Sequence, residues 1–108
     1  MTKHVIGDAI TTNGNYPSDA GTRWYPSALN ERGSLFVTGV FDNATAKLQA
    51  SQDSTTWVDV GANVEFTADG IGNFELFSDA ESPIQIRLNV SGGGGSMNIR
   101  SNVFNELR

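Results

Sequence analysis

The stretch Ile84-Gln85-Ile86-Arg87-Leu88-Asn89-Val90-Ser91 decides the fold. Ile84, Ile86, Leu88 and Val90 alternate with Gln85, Arg87, Asn89 and Ser91. Only an extended chain, whose side chains point to opposite faces at each step, sorts these residues into one oily side and one wet side. The same period continues downstream, where Met97, Ile99, Ser101 and Val103 alternate with Asn98, Arg100 and Asn102. Upstream it recurs in Ala46, Leu48 and Ala50 against Thr45, Lys47, Gln49 and Ser51. Read this way, the chain from Ser34 onward predicts strands near 34–41, 45–51, 56–60, 63–67, 72–77, 83–91 and 96–104.

No stretch holds an apolar stripe at helical spacing over three turns, so helix is limited to one short turn over Pro26 to Glu31. About seven to eight short strands at regular spacing predict an all-β fold, an antiparallel β-sandwich of the jelly-roll or immunoglobulin-like kind. Closing two sheets face to face places Leu35, Val37, Leu48, Val58, Val60, Val64, Phe66, Phe74, Leu76, Ile84, Ile86, Leu88, Val90, Ile99 and Val103 mostly inside. Turns are expected at Asp42-Asn43, Asp53-Ser54 and Asp69-Gly70, whose residues tolerate positive φ or bond to their own backbone. The run Gly92 to Gly95 is expected to be the flexible tip of a hairpin between the last two strands.

Residues 1–33 differ from the sandwich domain at 34–108. They mix turn residues such as Asn13, Gly14, Pro17, Gly21 and Pro26 with short apolar pieces, and read as an extended N-terminal arm or loop segment, with one brief strand from His4 to Ile10, and not as a second domain. Tyr16, Trp24 and Tyr25 stand in this segment. Aromatics with a polar handle suit interfaces, so these three are the candidate partner-binding residues; the alternative is that they anchor the arm to its own sandwich.

Composition narrows the function classes. A chain of 108 residues suits one domain with one core. Twelve carboxylates against seven Lys and Arg give a net charge of −5, which repels phosphate backbones and speaks against nucleic acid as a partner. The absence of cysteine excludes disulfide scaffolds, Cys-based zinc sites and thiol nucleophiles. The first thirty residues lack the apolar core of a secretory signal, and no apolar run approaches the roughly 18 residues of a membrane span. A soluble protein made in the cytoplasm, without membrane contact, is expected.

The residues that carry chemistry are sparse. His4 is the single histidine, near a terminus, and makes a poor general base for a Ser/His/Asp site. Asp42, Asp53, Asp59, Asp69 and Asp79 fall in or beside loops without the spacing of a calcium-binding loop, and turn formation accounts for them. Glu65 and Glu75 invite comparison with a glycosidase pair, but two Glu on wet strand faces need no such role. The glycines at 92–95 lack the Lys and Ser/Thr of a phosphate-binding loop. Trp57 lies on a strand after a turn and is expected in or near the core. No catalytic residue, metal ligand or cofactor is expected.

One resemblance adds to this reading. The segment Lys47-Leu48-Gln49-Ala50-Ser51-Gln52-Asp53-Ser54-Thr55-Thr56-Trp57-Val58-Asp59-Val60 is followed by Gly72-Asn73-Phe74-Glu75-Leu76 and by Ile86-Arg87-Leu88-Asn89-Val90-Ser91-Gly92-Gly93. Together these resemble small β-sandwich virion proteins of tailed bacteriophages, across about half of the chain. The resemblance implies a non-enzymatic structural protein on the capsid exterior. Such a protein decorates or cements the shell by bridging neighbouring subunits of the major capsid (coat) protein, and it associates with itself as a dimer or trimer. The alternative expectation is a carbohydrate-binding module or a tail- or fibre-associated receptor-binding domain, with Trp24, Tyr25 or Trp57 stacking on sugar rings.

Overall fold

Two antiparallel sheets, one of four strands and one of six, pack face to face in the computed structural model, which describes residues 2–24, 31–76 and 84–106. In chain order the strands are β1 (Thr2–Ile10), β2 (Gly14–Tyr16), β3 (Thr22–Trp24), β4 (Glu31–Val40), β5 (Thr45–Ser51), β6 (Val58–Asp59), β7 (Glu65–Phe66), β8 (Gly70–Leu76), β9 (Ile84–Ser91) and β10 (Asn98–Glu106). A 3-10 turn, Ala62–Val64, precedes β7. The four-stranded sheet runs β1-β10-β4-β8. In the six-stranded sheet β9 and β5 form the centre, with β2 and β3 sharing the outer side of β9, and β6 and β7 sharing the outer side of β5. Every pairing is antiparallel, as the one-sided alternation of β5, β9 and β10 requires.

The core lies between the sheets. Leu35, Val37, Ile99 and Val103 come from one side; Ala46, Leu48, Ile86, Leu88 and Val90 come from the other, and all are buried. Each large aliphatic side chain removed from water contributes about 1.5–3 kcal/mol toward offsetting chain entropy. Val60, Phe66 and Leu76 pack on this core but are only partly buried. Val58 departs from expectation and is 64% exposed. Its two-residue strand pairs with Gln49 and Ala50 at the rim, so Val58 borders a surface hollow with Ala50 and Ile84 instead of facing the opposite sheet. Ile6, Ile10, Phe41, Ala44, Ala46 and Met97 complete the core beyond the residues expected there.

Two further expectations are corrected by the pairing. Residues 2–24 are not an extended arm, because β1 joins the four-stranded sheet while β2 and β3 join the six-stranded one. Ile6 and Ile10 are buried, so this segment supplies core that the remainder lacks. Nor do β9 and β10 form a hairpin, since they lie in opposite sheets and the glycine run crosses between them. The tip is held from both sides. Asn13 donates through Nδ2 to the Gly93 carbonyl at 3.2 Å and accepts from the Gly93 N–H at 2.8 Å, while the Gly94 N–H donates to the Asp42 carbonyl at 3.0 Å. The Asp42 carboxylate also accepts the Ser96 N–H at 2.9 Å.

The turn at Asp42-Asn43 forms as its residues predict. Both have positive φ, 47° and 70°, and the Phe41 carbonyl accepts the Ala44 N–H at 2.9 Å, closing a two-residue turn that carries the chain from β4 to β5. Ser54 likewise has φ 64°. The short turn expected over 26–31 lies outside the described residues except for Glu31, which begins β4.

Candidate interaction surfaces

The two outward faces differ in chemistry because the strands alternate against different partners. On the six-stranded sheet, register places Asn15, Asn89, Lys47 and Glu65 in one row, and Arg87, Gln49 and Asp59 in the next. Most of these side chains bond to one another. Asn89 donates to Asn15 Oδ1 at 2.8 Å, and Asn15 donates to Asp19 Oδ1 at 2.9 Å. Arg87 donates through Nε to Gln49 Oε1 and through Nη1 to the Asp19 carbonyl, both at 2.9 Å. Gln49 passes the chain to Asp59 Oδ1 at 3.0 Å, and Lys47 stands 3.7 Å from the same carboxylate. A network so connected is rigid and offers few unmet donors to a ligand.

Trp57 belongs to this face and is half-buried. The Arg87 guanidinium lies 4.1 Å from its ring centroid, a cation–π contact, and Gly21 packs against the six-membered ring. One face of the indole is therefore engaged by its own chain. A tight loop precedes it. Asp53 Oδ1 accepts the Thr55 N–H at 2.9 Å, the Thr56 N–H at 2.8 Å and the Ser51 hydroxyl at 3.0 Å. The backbone donors of Thr56 and Thr55, then the Ser51 hydroxyl, hold the Asp53 carboxyl down at about 2, from 3.8.

On the four-stranded sheet the outward rows are apolar at the centre. Cross-strand register aligns Val5, Asn102, Phe36 and Ile71 in one row over all four strands. Val5 is 50% exposed and Ile71 62%. Phe104, in the adjoining row, meets Phe36 edge-to-face with centroids 5.1 Å apart and an interplanar angle of 71°. Charged side chains flank this centre. Lys3 shares the row of Phe104, and Asp8 lies beside Arg100, with 4.0 Å between their carboxylate and guanidinium, on the other side of the central row. Arg32 and Glu75 close the end near Lys3 with a 2.8 Å ion pair. Continuous apolar pairs were the sequence signal for this face: Leu35-Phe36-Val37 and Val103-Phe104 break strict alternation, so one member of each must point outward.

All four sheet edges are blunted among the described residues. β1 carries register shifts between Val5 and Gly7 and between Gly7 and Ile10. β8 has the Asn73 carbonyl capped by the Asn63 side-chain amide. On the six-stranded sheet one edge is split into β2 and β3 by residues 17–21, entered through a cis Tyr16–Pro17 peptide, and the other into β6 and β7. Broken, bulged or capped edges do not template another strand. The cleft between β8 and the 3-10 turn, about 410 Å³, has Phe74 and Val60 beneath and the Arg32–Glu75 pair at its side.

The three partner-binding candidates separate. Tyr16 packs against the core, and its hydroxyl donates to the Thr12 carbonyl at 2.6 Å, so it fastens β2 to the sandwich. Trp24 ends β3, its backbone opposite Ile84, and Tyr25 lies outside the described residues. Glu65 and Glu75 stand on different sheets, and His4 is half-buried opposite Val103 on β1. Among the described residues no group of three His, Asp or Glu side chains could hold a metal ion, and no helix is long and apolar enough to cross a membrane. Asp79 lies outside the described residues. Compared with known proteins, the chain matches no family model, no curated protein and no solved structure.

Proposed function

We propose that this chain is a non-enzymatic structural protein of a tailed-bacteriophage virion, which decorates the capsid exterior and cements it by bridging neighbouring coat subunits. The observation that carries the reading is the division of its surface. Among the described residues the sheet edges are interrupted, one face carries a connected polar network, and the other gathers exposed apolar side chains. Such a body suits lateral packing on a larger assembly, where many copies share one interface and association stabilises the folded form by mass action. Trp24, whose backbone ends β3, and its neighbour in sequence Tyr25 are the proposed coat-contacting residues in this reading.

The test is co-sedimentation of the full chain with expanded shells of its own phage. Deleting the N-terminal third is unsuitable because Ile6 and Ile10 are core residues. Trp24→Ala and Tyr25→Ala together are expected to weaken shell binding at least about tenfold while the β-type circular dichroism spectrum is retained. Wild-type protein that stays in the supernatant at every shell concentration overturns the reading.

A further inference from the structure

We propose that the outward face of the four-stranded sheet is the interface of a two-fold dimer of this chain, with the dyad lying in the plane of the face and crossing the strands at the row Val5, Asn102, Phe36, Ile71. This inference stands apart from the virion reading and rests on register, charge and area.

Association through edges is disfavoured by the bulges, splits and cap already described, and the polar face is tied up by hydrogen bonds of its own around Arg87, Gln49 and Asn89, although Gln85 Oε1 there has no partner, so the apolar face is the one that gains most by burial. A dyad crossing the strands lays each strand over its own copy with its direction reversed. Val5, Phe36 and Ile71 then meet their counterparts on the axis, as an isologous contact requires. Asn102 lies on the same axis, its buried Oδ1 without a hydrogen-bond partner among the described residues.

Charge selects this axis. Lys3 and Asp8 sit on the same strand in the outward rows on either side of the central one, so the dyad sets Lys3 of each copy against Asp8 of the other. It also sets Arg100 over Phe104, a cation on an aromatic face. The competing dyad, along the strands, lays β1 over β8 and brings Asp8 toward Asp69, a like-charge encounter. Area is sufficient. Four strands about 4.8 Å apart and about nine residues long, at about 3.3 Å each, span ~570 Å² in projection, and a corrugated surface of that outline approaches the ~800 Å² per partner of a standard interface.

Sedimentation equilibrium and light scattering on the full chain test the proposal. The wild type is expected at twice the 11.6 kDa chain mass, with dissociation toward monomer only on dilution or in high salt. Ile71→Asp, at an exposed position, is expected to raise the dimer dissociation constant by about 100-fold or more, because each substitution enters the interface twice, with the circular dichroism spectrum unchanged. Lys3→Asp and Asp8→Lys are each expected to weaken association about tenfold, and the double exchange to restore it. A chain that remains at 11.6 kDa up to about 100 μM overturns the proposal, as does an Ile71→Asp variant that dimerises like the wild type. Failure of the double exchange to recover affinity overturns the stated axis. Shell binding by a strictly monomeric chain separates the failure of this inference from that of the virion reading.

Discussion

At the scale of single residues, two side chains depart from ordinary practice in ways that can be measured. Ser101 faces the core with no exposed surface, and its hydroxyl has no hydrogen-bond partner. A buried, unpaired hydroxyl costs free energy that a methyl group does not, so Ser101→Ala is expected to stabilise the fold by about 1 kcal/mol, read as a higher urea midpoint at unchanged slope. Asp53 works in the opposite sense. Its carboxylate is held at about 2, below 3.8, by the Thr56 and Thr55 backbone donors and the Ser51 hydroxyl. The folded form therefore binds this proton more weakly than the unfolded chain. The stabilisation is fully present above 3.8 and is lost as pH falls through about 2. Asp53→Ala is expected to flatten that part of the stability–pH curve, which urea titrations at a series of acidic pH values check.

At the scale of elements, the short strands β2 and β3 depend on how closely the chain between them approaches β9. Gly21 has φ 70°, and a Cβ there would overlap the Ile86 carbonyl oxygen and come within 2.8 Å of Trp57 Cη2. Gly21→Ala is accordingly expected to cost at least about 2 kcal/mol and to alter tryptophan fluorescence, since the loop must withdraw from the indole. The same elements show where sequence reading works. Alternation in β5, β9 and β10 located them closely, and positive φ at Asp42, Asn43 and Ser54 matches residues that tolerate it. β1 escaped full recognition because its two register shifts break the period, leaving Ile6 and Ile10 inside with Gly7 between them. β2 and β3, at three residues each, are too short to display any period. Alternation also says that one face of a strand is covered without saying by which sheet, and for that reason β9 and β10 read as a hairpin although the chain crosses the core between them.

At the scale of the whole molecule, an all-β sandwich was legible and its surface was not. Val5, Phe36, Ile71 and Phe104 come from four separate strands, and only register brings them into one apolar patch. Tyr16 reads as a contact candidate, being an aromatic in irregular sequence, with anchoring to its own sandwich as the alternative; its ring packs against the core and its hydroxyl serves its own loop. The four interrupted margins of the two sheets have a consequence for behaviour at high concentration. Cross-β fibres lengthen when an unbroken backbone ladder recruits an identical one. Among the described residues each of these ladders is broken by a shift, a gap or a borrowed amide, which gives a growing filament little to build on and lets many copies crowd together as discrete, separable particles.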